Sequence, residues 1–161
     1  MYKKHKVICF IVAVVSFFTA YIFNANYSKI ADNAMTLVSI VIAVYITVAS
    51  VLMGSTYAAA IKRIPDKINK GNSLLGTLKD YITDSMAFSI LSIIISSLYS
   101  FEIINIGEFW NGKIDGDRLF SALSCAIFAL NIVFLWLIFR LMMVIMLNSA
   151  VLEGKSKNNT E

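Results

Sequence analysis

Apolar residues run almost without interruption over 7–23, 34–61, 81–101 and 119–147, and most charges fall between those runs. A helix crossing a hydrocarbon core of about 30 Å needs about 20 mostly apolar residues. Each run therefore predicts a transmembrane helix. The first is near the short limit, and the second and fourth are longer than a crossing requires. Barrel strands would instead alternate apolar and polar residues over about 10 positions. The expected fold class is all-α: a polytopic membrane protein forming one four-helix transmembrane domain over 1–161.

The connections refine this picture. A helix over 34–61 would be about 42 Å long at 1.5 Å per residue, so it must tilt or project from the membrane. Pro65, the single proline, then ends it. The short polar connection 24–33 is expected to hold the first two helices together as antiparallel neighbours. Gly71-Asn72-Ser73 reads as a turn, with Ser73 capping a short interfacial helix that carries Leu74, Leu75 and Leu78 into the third span. The external connection 102–118 holds Phe109 and Trp110, which suit the membrane interface. Its Asp115-Gly116-Asp117 reads as a turn, since the further oxygen ligands of a calcium loop are missing. The small, polar tail from Gly154 to Glu161 is expected to be disordered.

Charge predicts the orientation. With the N-terminus inside, Lys3, Lys4, Lys6, Lys62, Arg63, Lys67, Lys70, Lys79, Arg140, Lys155 and Lys157 all lie inside. Only Lys29, Lys113 and Arg118 lie outside, so the positive-inside rule places both termini in the cytoplasm. The net charge of +4 then reflects topology, and no direct nucleic-acid binding is expected. The Lys-rich start resembles a signal peptide, but Phe23-Asn24-Ala25 makes a poor cleavage site, so an uncleaved first helix is expected. Lys62, Arg63, Lys67 and Lys70 would contact anionic lipid head groups or a cytoplasmic protein partner.

The third span carries Ser85, Ser89, Ser92, Ser96 and Ser100 at steps of three and four, which line one helix face. Serines of this kind either permit close helix packing or line a hydrated path. Packing is the commoner use. The second span offers a matching small face, Ser39, Ala43, Thr47, Ser50, Gly54 and Ala58. Ser50, Gly54 and Ala58 form a small-xxx-small pattern. Cys9, Ala13, Ser16 and Ala20 line one face of the first span, and Ala122, Ala126 and Ala129 one face of the fourth. Four such faces exceed the needs of one bundle, and a homo-oligomer is expected.

Polar residues are costly in hydrocarbon. Asn131, mid-way along the fourth span, is expected to bond to another helix, with a serine of the third as candidate partner. Arg140 is expected to reach the inner head groups, and the apolar run from Leu141 to Leu147 to continue the helix against a partner or the membrane surface. Asp84 is expected at the interface. Cys9 and Cys125 fall at different depths, so no disulfide is expected.

The one histidine, His5, sits in the Lys-rich terminus. No His, Cys, Asp or Glu cluster has metal-ligand spacing, and no phosphate loop or G-x-S-x-G motif is present. The spans lack the central glutamate of a small four-helix proton-coupled exporter. No enzyme activity, metal or cofactor is expected.

In size and layout the chain resembles the membrane subunits of the Kiwa and Rex anti-phage systems. Four spans, both ends inside and a basic middle loop after Ala58-Ala59-Ala60-Ile61-Lys62-Arg63 carry the resemblance. It covers the whole chain and is architectural, so it assigns no functional residue. The Kiwa likeness implies an oligomeric sensor or scaffold in the bacterial inner membrane that holds a cytoplasmic partner. The Rex likeness implies an ion channel that depolarises the cell, and holins are similar to that second class.

Overall fold

The computed structural model describes residues 2–54, 65–66, 71–101 and 115–157, with side chains through Val51 in the second helix and Met146 in the last. These residues are helical apart from turns and one isolated bridge, Pro65 to Ser73. The helices are α1 (Lys3–Ile22), α2 (Ala31–Gly54), α3 (Leu74–Ser100) and α4 (Gly116–Lys157). A 3-10 turn, Tyr27–Lys29, lies between α1 and α2. All four helices are long and apolar enough to cross a membrane.

Local chemistry sets the ends. α1 stops in a Schellman arrangement: Asn24 takes φ 50°, Ala25 N–H donates to Ala20 O (2.9 Å) and Asn24 N–H to Tyr21 O (3.4 Å). Asn tolerates that left-handed conformation better than most residues. Ser73 caps α3 by accepting from Gly76 N–H at 3.1 Å, as its sequence position suggests. Asp115 caps α4 through Arg118 N–H at 3.2 Å.

Two expectations about these helices are corrected. The interfacial helix beginning at Leu74 is not separate: it continues without a break to Ser100. No proline interrupts it, and Gly76 costs a helix only about 1 kcal/mol. The expected disordered tail is helical through Lys157, with 158–161 outside the described residues. Lys155 and Lys157 lie in its last turn, where cations favour the helix dipole. At 42 residues α4 is about 63 Å long, roughly twice a hydrocarbon core. The predicted course of the second helix beyond Gly54, to Ile61, lies outside the described residues, as do the connection carrying Phe109 and Trp110 and Lys62, Arg63, Lys67 and Lys70.

The spatial order is α1, α4, α3, α2. Among the described residues α1 and α2 do not pack together, which corrects the expectation that their short link makes them neighbours. The 3-10 turn is the reason. It crosses the end of the bundle with Tyr27 wholly buried, touching α2, α3 and α4, and so carries the chain past two helices. α2 turns Ala34, Val38, Val41, Tyr45 and Val48 inward. α3 turns its serines inward, and α4 contributes Leu130, Phe134, Leu137, Ile138, Leu141 and Ile145. Beyond Arg140 the apolar extension buries Leu141 and Ile145 in the cluster that holds Leu74 and Leu78 of α3, and leaves Met143, Val144 and Met146 exposed. Outward faces are apolar, as with Phe10, Phe18, Ile40, Ile94, Trp136 and Met143. Lipid chains are as apolar as leucine, so such faces fit a bilayer.

Candidate functional site

Polar side chains collect in three places: each end of the bundle and a seam between α3 and α4. The first end joins the starts of α1 and α3 to α4. The Tyr81 hydroxyl accepts from Tyr2 N–H at 3.0 Å and meets His5 Nδ1 at 2.6 Å. The three rings lie edge to face, at 5.3–5.9 Å between centroids. Beside them Asp66, 3% exposed, accepts from Thr77 Oγ1 at 2.6 Å, while its N–H donates to Asn72 O. Its carboxylate also bonds the Tyr2 hydroxyl, and burial together with that negative charge pushes the Tyr2 phenol well above its ordinary value. A buried carboxylate near the first turn of α3 is favoured by the helix dipole. Around this knot stand exposed Lys3, Lys4, Lys6, Lys79 and Arg140, with exposed Asp80 and Asp84. The Arg140 guanidinium lies over the Trp136 ring at 5.5 Å. Nothing in the spacing of residues 2, 5, 66, 77 and 81 signals this knot, because separate chain segments supply its parts.

The opposite end holds a cavity of about 620 Å³. Asn24, Asn26, Ser28, Asp32, Tyr99, Ser100, Asp115, Asp117, Arg118 and Ser121 line it. Arg118, the one cation among the described lining residues, is spoken for. Arg118 Nε donates to Tyr21 O (2.7 Å), Nη2 donates to Ile22 O (3.2 Å), and the guanidinium lies 4.6 Å over the Tyr21 ring. It thereby serves the free carbonyls at the C-terminus of α1 and ties them to α4. Ser121 is a second tie, accepting from Tyr27 N–H (2.7 Å) and donating to Ala25 O (2.5 Å). Ser100 donates to Asp32. Among the described residues no cluster of His, Cys, Asp or Glu could hold a metal ion.

The seam connects the two ends. Ser85, Ser89, Ser92 and Ser96 are buried inside the chain, and Ser100 is exposed at the mouth of the cavity. Ser89 Oγ donates to Asn131 Oδ1 at 2.6 Å, and Asn131 Nδ2 donates to Ile127 O at 3.0 Å. Ser96 pairs with the Tyr27 hydroxyl at 2.9 Å. Burial raises the Tyr27 phenol above its ordinary value, more than the hydrogen bond from Ser96 lowers it. Three buried hydroxyls, those of Tyr45, Ser92 and Tyr99, have no hydrogen-bond partner among the described residues. Such a group costs roughly 1–3 kcal/mol when left unsatisfied.

The small face of α2 does not meet this stripe. Ser39, Ala43, Thr47 and Ser50 are exposed, on the side away from α3. Their hydroxyls bond back to the carbonyls of Met35, Ala43 and Ile46 at 2.8 Å. The side-chain surroundings of Gly54 and all of Ala58 lie outside the described residues. By contrast Cys9, Ala13, Ser16 and Ala20 are sheltered on α1, which packs on α4, where Ala122 and Ala126 are buried and Ala129 is half-buried. Cys9 and Cys125 are both free thiols, packed in separate core clusters toward opposite ends.

Compared with known proteins, the chain matches no family model, no curated protein and no solved structure.

Proposed function

We propose that the chain is a multi-pass protein of the bacterial inner membrane, with both termini cytoplasmic, that assembles as a homo-oligomer and acts as a sensor or scaffold for a cytoplasmic partner. The role is one of binding, not of catalysis. The observation that carries it is the small-residue face of α2, which the chain's own bundle leaves outside. On that face the hydroxyls are already satisfied by their own helix, so a second helix can approach closely without stranding a polar group. Charge supports the orientation: exposed Lys3, Lys4, Lys6, Lys79 and Arg140 surround one end, and Asp32, Asp115 and Asp117 the other. Lys62, Arg63, Lys67 and Lys70 belong to the connection on the basic side, where anionic lipid or an acidic protein surface would meet them. The architectural resemblance to the Kiwa membrane subunit makes phage defence the setting in which to seek that partner.

The test is the mass of the assembled species in nanodiscs, measured for the wild type and for Ala43→Leu with Thr47→Leu. The wild type should form a defined oligomer that the leucines break into single chains. A wild type that is monomeric at every concentration would remove the proposal. A second reading, an ion-conducting effector, is supported by the buried polar seam between α3 and α4.

A further inference from the structure

Read from the basic end toward the acidic one, the seam's hydroxyls form a row in which unpartnered members interrupt the bonded ones. Tyr81 is bonded to His5. Next comes Tyr45 of α2, wholly buried, whose hydroxyl approaches Ser85 without a well-formed hydrogen bond, since Ser85 donates to Ile82 O. Ser89 is bonded to Asn131, Ser92 is unpartnered, and Ser96 is bonded to Tyr27. Tyr99 is unpartnered and lines the cavity at the acidic end.

The spacing turns this row into a path. Serines three or four residues apart on a helix lie about 4.5–6 Å apart along its axis, roughly two hydrogen-bond lengths. A bridging water would span each such interval, and buried polar groups without protein partners are where internal waters are found. From Tyr81 to Tyr99 the rise is about 27 Å, close to the thickness of a hydrocarbon core. Tyr45 reaches the row from a different helix, so the pattern is not a property of the serine stripe alone.

We propose that this seam is a hydrated hydroxyl relay that carries protons between the His5–Tyr81 pair and the acidic-end cavity. This rests on the second, ion-conducting reading and names its ion. Each hydroxyl takes up a proton on a lone pair and releases its own to the next group, so no member keeps a net charge. At one end the half-buried His5 opens the row to water, and at the other the cavity lined by Tyr99 and Asp32 does so. Asn131 is a positioning residue that holds Ser89 in line. The described seam side chains between Tyr81 and Ser96 are uncharged, so a metal cation shedding its water would find no compensating charge there. Protons need only the hydroxyls.

The full-length protein would be reconstituted into phosphatidylethanolamine–phosphatidylglycerol vesicles holding a pH dye, and proton uptake driven by a potassium diffusion potential. Uptake should exceed that of protein-free vesicles. It should fall to the protein-free rate with Tyr45→Phe and Ser92→Ala, which keep side-chain shape and remove only hydroxyls. Ser39→Ala, on the outward face of α2, should leave uptake unchanged. Wild-type uptake surviving the combined hydroxyl deletions overturns the relay. Equal passage of potassium without ionophore also overturns it while leaving the ion-conducting reading intact. No flux of either ion, from protein shown by circular dichroism to be fully helical, ends both.

Discussion

Ser89 and Asn131 form the one hydrogen bond between side chains of α3 and α4 among the described residues, and its contribution can be isolated by a double-mutant cycle. Both residues are fully buried and the oxygens are 2.6 Å apart. Ser89→Ala removes the donor and strands Asn131 Oδ1. Asn131→Leu removes the acceptor at similar volume and strands the hydroxyl. The double variant strands neither. Side-chain hydrogen bonds between membrane helices couple by about 0.6 kcal/mol on average and reach about 1.7. A short contact between two wholly buried partners belongs in the upper half, so we expect a coupling of about 1–1.7 kcal/mol, roughly five- to eighteen-fold in the unfolding constant. Unfolding in mixed micelles, followed by far-ultraviolet circular dichroism against mole fraction of denaturing detergent, would measure all four forms. Strictly additive effects, with coupling under about 0.3 kcal/mol, would refute the bond as a stabilising link.

Other parts of the structure predict separate outcomes. Tyr2 and Tyr27 have phenols held above their ordinary values, so the folded state keeps protons that the unfolded chain releases. Their stabilising effect is complete below the unfolded tyrosine value of about 10 and is lost as pH rises beyond it, so melting temperature should fall between pH 9 and 11, and fall less in Tyr27→Phe relative to that variant's own pH 9 value. Arg118→Leu frees the last carbonyls of α1, and should lower stability by about 1–2 kcal/mol and speed protease cleavage near Asn24, with Arg118→Lys recovering only part because it lacks the planar fork. Changing Lys62, Arg63, Lys67 and Lys70 together to Gln should abolish copurification of a cytoplasmic partner while the oligomer's mass stays unchanged. A lost oligomer would instead trace the effect to the membrane domain.

The four helices were legible because hydrocarbon demands long apolar runs, and the cap at Ser73 because a serine ahead of Leu74 has a local signature. Asn131 was legible too: a lone amide within an apolar helix needs a partner, and a row of serines supplied a candidate. The order of the helices was not. It depends on Tyr27, a single aromatic residue in a polar link, finding Ser96 and Ser121 on two distant helices. Nor could the sequence say which face of α2 turns inward. Lipid is as apolar as the core, so hydrophobicity does not choose between the Val38–Val41–Tyr45–Val48 face and the Ser39–Ala43–Thr47–Ser50 face. Packing volume and the Tyr45 hydroxyl distinguish them, and both depend on what lies opposite. The knot of Tyr2, His5, Asp66, Thr77 and Tyr81 was hidden for the same reason.

Orientation in the membrane underlies both the scaffold and the relay, and it can be measured in one experiment. Cys9 and Cys125 would be replaced by Ala, and single cysteines placed at Asn72 and Ser28, which are exposed at opposite ends of the bundle. Intact cells would be treated with a membrane-impermeant thiol reagent, and the same cells treated again after permeabilisation. Asn72→Cys should react only after permeabilisation, and Ser28→Cys should react in intact cells. Labelling of Asn72→Cys in intact cells, with Ser28→Cys protected, would contradict the account by placing the basic end outside.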